Sequence, residues 1–123
     1  MESFEELNIS KQLLNAITDL GFEKPTPIQE EAFPIAMSGK NIVGIAQTGT
    51  GKTLAYMLPI LQQFKFSKDY KPKAIILVPT RELVIQVVEQ IELFTKYMTT
   101  RVLGVYGGVN IKTQMGQLTQ GVD

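Results

Sequence analysis

Apolar residues along the chain alternate between helix-like and strand-like spacing. After Ser10, Leu13, Leu14, Ile17 and Leu20 recur every three or four positions, and Gly21 stands where that helix would end. Gly21 to Pro25 reads as a turn. Thr26 and Pro27 open a second predicted helix, with proline at the first helical position, where its missing N–H costs nothing. Pro34 and Gly39 are expected to bend and end it. The short apolar run NIVGI (Asn41–Ile45) predicts a strand, and Gly49 and Gly51 the turn after it. A third helix would bury Leu54, Met57, Leu58, Leu61 and Phe64 and kink at Pro59.

Beyond a polar loop from Lys65 to Lys73, AIILV (Ala74–Val78) has the continuous apolar character of a strand buried on both faces. A helix over Thr80–Lys96 would bury Val84, Val87, Val88, Ile91 and Phe94. Val102–Tyr106 predicts a third strand ended by Gly107-Gly108, and a last helix runs from Asn110 to about Gln120. Strands alternating with helices imply an α/β fold with a parallel sheet. Such sheets carry binding loops at the carboxyl ends of their strands.

Composition narrows the chemistry. The 123 residues are 44% hydrophobic and 20% charged, enough for one small globular core. There is no cysteine and no histidine, which excludes disulfides, Cys/His metal sites and Cys- or His-based catalysis within this chain. Twelve basic residues balance twelve acidic ones, so no bulk polyanion-binding signature exists. Residues 1–31 nevertheless hold seven acids against two bases, and residues 40–73 six bases against one acid. Solvated faces of opposite sign account for this. No segment reaches the about 18 continuous apolar residues of a membrane span. The acidic start MESFEELNIS is no signal peptide, so a cytoplasmic location without membrane partners is expected.

The strongest chemical signal is Ala46-Gln47-Thr48-Gly49-Thr50-Gly51-Lys52-Thr53, between a predicted strand and a predicted helix. That is the context of a phosphate-binding P-loop. Glycines let successive N–H groups point inward, and the helix N-terminus adds about half a positive charge. Lys52 reaches phosphate as a point charge, and the Thr53 hydroxyl suits the coordination shell of Mg²⁺. The general pattern has glycine where this chain has Ala46. The alternative is a glycine-rich turn carrying an exposed lysine.

AQTGTGKT resembles the P-loop variant of the DEAD-box ATP-dependent RNA helicases, and the flanks resemble that family too. Gly21-Phe22-Glu23-Lys24-Pro25-Thr26-Pro27-Ile28-Gln29 is similar to its Q motif, and Phe4, 17 residues before Gly21, stands at its isolated aromatic. Pro79-Thr80-Arg81-Glu82-Leu83 matches its PTREL motif and Gly107-Gly108 its double glycine. The resemblance implies a RecA-like P-loop NTPase fold. It divides the chain into a Q-motif region, 1–31, and an N-terminal part of the ATP-binding domain, 32–123. It implies that ATP is held by Phe4, Phe22, Lys24, Gln29 and the loop Ala46 to Thr53, with Lys52 and Thr53 as the catalytic pair and Mg²⁺ on Thr53. It further implies RNA contact, largely independent of sequence, through Pro79, Thr80, Arg81, Gly107 and Gly108.

Other readings of these residues stay open. Thr26 to Gln29 also spells a capping box, in which Gln29 bonds back to the Thr26 amide instead of reading adenine. Phe22 suits core packing, Thr80 suits a plain helix cap, and the two glycines suit a simple turn. The only aspartates are Asp19, Asp69 and Asp123, so the family's DEAD strand is absent, as is its second RecA-like domain. The expectation is therefore an N-terminal portion of a helicase, catalytically incomplete in isolation. A non-catalytic nucleotide- or RNA-binding module, or another P-loop NTPase such as a small kinase, are the alternatives.

Overall fold

The computed structural model describes residues 1–123, with five α-helices and one 3-10 turn. They group into two compact units, Met1–Phe64 and Lys65–Asp123.

The first unit holds the 3-10 turn Phe4–Leu7, α1 (Lys11–Asp19), α2 (Pro27–Met37) and α3 (Lys52–Gln63). The 3-10 turn has no signature in the hydrophobic period. Ser3 Oγ accepts the Glu5 N–H at 3.1 Å, left-handed Asn8 ends the turn, and Phe4 and Leu7 are buried. Ser10 caps α1 as expected, its Oγ accepting the Leu13 N–H at 3.3 Å. The Ser10 N–H donates to Gln62 Oε1 at 2.8 Å and so joins the start of α1 to the end of α3. Leu13, Ala16 and Ile17 of α1 share the core with Phe33 of α2 and Leu54, Ala55, Met57, Leu58 and Leu61 of α3. Each large side chain fully buried here contributes about 1.5–3 kcal/mol. Leu14, Leu20 and Phe64, expected on inner faces, are only half-buried. Pro34 lies inside α2, which runs on to Met37, and Pro59 lies inside α3, which runs on to Gln63.

The second unit holds α4 (Arg81–Phe94) and α5 (Ile111–Thr119). Thr80 caps α4, with its Oγ1 accepting the Leu83 N–H at 3.2 Å, and Asn110 caps α5, with its Oδ1 accepting the Lys112 N–H at 2.9 Å. Ile91 and Phe94 are buried, whereas Val84, Val87 and Val88 are half-buried. Gly104 comes close to α4: a Cβ there would stand 2.9 Å from both Val84 Cγ1 and Val88 Cγ2. A larger residue would push the segment off the helix.

The three predicted strands do not form hydrogen-bonded ladders in this structure. A helix satisfies its amides from its own chain four residues away, but a strand depends on a neighbour distant in sequence. Val43, Ile45, Ile75 and Leu77 stand 80–92% exposed on alternate positions, each carrying a side chain that a packed sheet would cover. The Tyr106 amide, within the third segment, is satisfied by a side chain instead.

An ionic cluster ties the ends of the second unit together. The Asp123 carboxylate, 6% exposed, accepts Arg101 Nη2 at 2.9 Å, Arg101 Nε at 3.2 Å and the Arg101 backbone N–H at 2.8 Å. The Asp123 carbonyl accepts the N–H groups of Lys73 and Ala74 at 2.7 and 3.0 Å. Arg101 also donates to the carbonyls of Ser67 and Asp69 and lies over the Phe66 ring. Hydrogen bonding from Arg101 holds the Asp123 carboxyl below its ordinary value of 3.8, against the opposing effect of burial. Hydrogen bonds from the Ser67 and Lys73 side chains lower Asp69 to about 2.

A depressed carboxylate stabilises the fold at neutral pH, and that contribution fades as pH falls below the ordinary value and through the lowered one. Asp123→Asn is therefore expected to destabilise the chain by about 1–2 kcal/mol at pH 7. The gap to the unsubstituted chain should close as pH drops below 3.8. Thermal unfolding followed by circular dichroism across pH checks this, and a gap that does not change with pH contradicts it.

Candidate functional site: a phosphate loop and a second basic turn

In the first unit the predicted phosphate loop sits at the start of α3. Gly49 and Gly51 have φ of 81° and 79°, a left-handed backbone that glycine adopts without strain. Gly51 is the N-cap of α3, and no side chain caps the helix. The first amides of α3 therefore remain as anion donors at the positive end of the helix dipole. The loop is closed on itself. Lys52 Nζ donates to the Ala46 carbonyl at 2.7 Å, and Thr50 Oγ1 donates to the Gln47 carbonyl at 2.6 Å. Lys52 thus spans the mouth of the loop. Thr53 is half-buried in the first turn of α3.

Gln29 is the side chain that meets this loop from outside. It is 4% exposed, in the first turn of α2. Its Oε1 accepts the Thr26 N–H at 3.0 Å, and its Nε2 donates to the Gly51 carbonyl at 3.1 Å. One carboxamide thus caps α2 and tethers the phosphate loop. A Cβ on Gly51 would meet the Gln29 amide nitrogen, so a side chain there would displace the carboxamide from the Gly51 carbonyl. Thr26 Oγ1 is buried here without a hydrogen-bond partner. The other nucleotide candidates are placed differently. Phe4 is buried at 2% exposure in the core of the unit, while Phe22, 46% exposed, and Lys24 lie on the surface of the turn before α2.

In the second unit the candidate RNA residues converge. Pro79 and Thr80 lead into α4, and Thr80 is committed to its cap. The Arg81 guanidinium lies over the Tyr106 ring, 5.1 Å from its centroid. Its Nη1 would be 3.2 Å from a Cβ on Gly108, whose φ is 84°. Arg81 therefore sits against the bare backbone of the double glycine. Tyr106 and Gln114 were not singled out from the sequence. Tyr106 directly precedes Gly107, and Gln114 is a polar residue on the buried side of α5, its Oε1 accepting the Tyr106 N–H at 3.0 Å. No group of three or more acidic side chains gathers into a metal centre.

A glycine loop at a helix N-terminus, bridged by lysine, is the arrangement that the P-loop fold class calls for. The sequence profile described as DEAD/DEAH box helicase matches residues 26–123. The chain belongs to the DEAD/DEAH box helicase family. It is 41% identical over 127 aligned positions to the probable ATP-dependent RNA helicase DDX46 of Homo sapiens, covering 100% of this chain and 12% of that one. It is 43% identical to the ATP-dependent RNA helicase DeaD of Haemophilus influenzae, covering 97% of this chain and 19% of that one. Among solved structures, a DEAD box protein of the hyperthermophile Methanococcus jannaschii superposes with a TM-score of 0.87 at 38% identity. That match covers 99% of this chain and 33% of the other. The RNA helicase Prp28 of Chaetomium thermophilum, bound to ADP, gives 0.84 at 34%, covering 99% and 31%. The chain thus spans less than a fifth of these two curated relatives and about a third of the two solved chains. The matches establish the α/β RecA-like fold class that the sequence implies, although the ladders themselves do not close here.

Gln29→Glu keeps the oxygen that accepts from Thr26 and replaces the donor to Gly51 with a second oxygen facing a carbonyl. Amide exchange over Gly49–Lys52 should accelerate while α2 keeps its protection. Unchanged exchange in the loop contradicts the tether.

Proposed function

We propose that this chain is the ATP- and RNA-binding portion of an ATP-dependent RNA helicase, coupling nucleotide binding to local opening of RNA duplexes in the whole protein. The observation that carries this reading is the Gln29–Gly51–Lys52 arrangement, a glycine loop at a helix start joined to the motif that precedes it. Phosphate would take the loop amides and draw Lys52 from the Ala46 carbonyl. The Gln29 carboxamide has the donor and acceptor needed to read the edge of adenine, and engaging adenine would draw it from its present partners. Phe4, Phe22 and Lys24 belong to this proposal as the surroundings of the base.

Mg²⁺ would arrive with the nucleotide and supply charge neutralisation at the phosphates. The Thr53 hydroxyl, at the first turn of α3, is the residue here that suits its shell. Hydrolysis further needs a carboxylate on the metal and a group that orients water. The chain has no Asp-Glu-x-Asp string, so it is proposed to bind nucleotide and RNA without turning ATP over by itself. Thr80, Arg81 and the Gly107–Gly108 backbone would hold RNA phosphates. Phosphate contacts of this kind carry no base identity, so binding would be largely independent of sequence.

Lys52→Ala should weaken ATP binding by about tenfold, the effect of losing one charge-assisted phosphate contact. GTP should bind the unsubstituted chain more weakly than ATP. Titration calorimetry measures both, with circular dichroism confirming that the variant folds. Equal ATP affinity of the variant and the unsubstituted chain contradicts the P-loop assignment.

A further inference from the structure

Arg81 has a long, exposed side chain whose guanidinium lies against two neighbours. Its guanidinium lies 5.1 Å from the Tyr106 ring centroid, and its Nη1 faces the open side of Gly108. A cation over an aromatic face is attracted by the ring quadrupole, and the guanidinium edge keeps its N–H donors. The ring itself is held through its backbone. Tyr106 donates its N–H to Gln114 Oε1 at 3.0 Å, and Gln114 is 8% exposed on α5, a helix begun by the Asn110 cap. The order of support therefore runs from the cap of α5, through Gln114 and Tyr106, to Arg81.

We propose that Tyr106 and Gln114 are positioning residues of the RNA-phosphate site: Gln114 fixes the backbone leading into Gly107–Gly108, and Tyr106 holds the Arg81 guanidinium over that turn. This rests on the reading of Arg81 and the double glycine as an RNA contact. The ring limits the rotamers Arg81 samples before RNA arrives, so less side-chain entropy is lost on binding. The Tyr106 hydroxyl plays no part, and phenylalanine should replace tyrosine without loss. Gly108, with its left-handed φ, keeps free the space beside the guanidinium that a phosphate oxygen would occupy.

The test is a double-mutant cycle on the full chain, read by fluorescence anisotropy of a fluorescein-labelled single-stranded oligouridine over a range of salt. Arg81→Ala should weaken binding by about tenfold and flatten the slope of log affinity against log salt by about one. Tyr106→Leu should weaken binding by about threefold in the presence of Arg81 and have no effect in the Arg81→Ala background. Tyr106→Phe should restore unsubstituted affinity. Gln114→Leu, with α5 shown intact by circular dichroism, should resemble Tyr106→Leu and likewise lose its effect without Arg81. A Tyr106→Leu penalty that persists in the Arg81→Ala background, or no penalty at all, overturns the positioning role while leaving the RNA reading in place. Absence of oligouridine binding by the unsubstituted chain, or equal binding by Arg81→Ala, overturns the RNA reading and this proposal with it.

Discussion

Gln29 accepts the Thr26 N–H on its Oε1 and donates its Nε2 to the Gly51 carbonyl, and the first unit is organised around that carboxamide. The first bond starts α2 where Pro27 has no N–H to offer. The second holds the last glycine of the phosphate loop at the point where α3 begins. Both are made in a buried setting, where leaving either end unpaired costs about 1–3 kcal/mol. At Gly51 the left-handed φ of 79° disfavours any side chain, and one placed there would also have to displace the Gln29 carboxamide. The core beneath, built from Leu13, Ile17, Leu54 and Leu58, supports the helices that carry these two residues.

The second unit repeats the device on a different loop. Gln114, also buried and also on the first turns of a helix, accepts a backbone N–H upstream of a glycine pair. In both units, then, a glutamine carboxamide bonds the backbone at or beside a glycine: Gly51 itself in the first, and Tyr106, directly before Gly107, in the second. In both, a basic residue lies across the bare backbone: Lys52 on the Ala46 carbonyl, and Arg81 beside Gly108. A glycine loop alone is mobile. Tied to a helix start, each loop is fixed at one point of its backbone. The ionic cluster of Asp123, Arg101 and Lys73 secures the remainder of the second unit.

What the sequence revealed follows the range of the interactions involved. Helix starts were legible at Ser10, Thr26, Thr80 and Asn110, because capping is decided within four residues. The glycine turn that opens α3 was legible because Gly49, Gly51 and Lys52 lie within one turn. Gln29 presented two roles: its spacing spelled a capping box, and the resemblance around Phe4 and Gly21-Phe22 favoured adenine reading. The structure shows the capping bond made by its oxygen while its nitrogen reaches 22 residues along the chain to Gly51. Interactions over longer or less regular spacing left no trace: Arg101 with Asp123, Ser10 with Gln62, and Tyr106 with Gln114. The strand segments were read from their apolar character. That character records what a sheet would bury and not whether the neighbouring strand is there to pair with, and Val43 and Leu77 stand exposed.

The central claim is that the Gln29–Gly51 and Lys52–Ala46 contacts form one nucleotide-responsive unit. Titrating ADP, and separately GDP, into isotopically labelled chain while recording amide NMR spectra tests it most directly. ADP should shift the Gln29 side-chain amide together with the backbone amides of Gly49, Gly51 and Lys52 along a single binding curve, with GDP producing smaller shifts at the same concentrations. Shifts in the loop without any at the Gln29 carboxamide, or an equal response to both nucleotides, would contradict it.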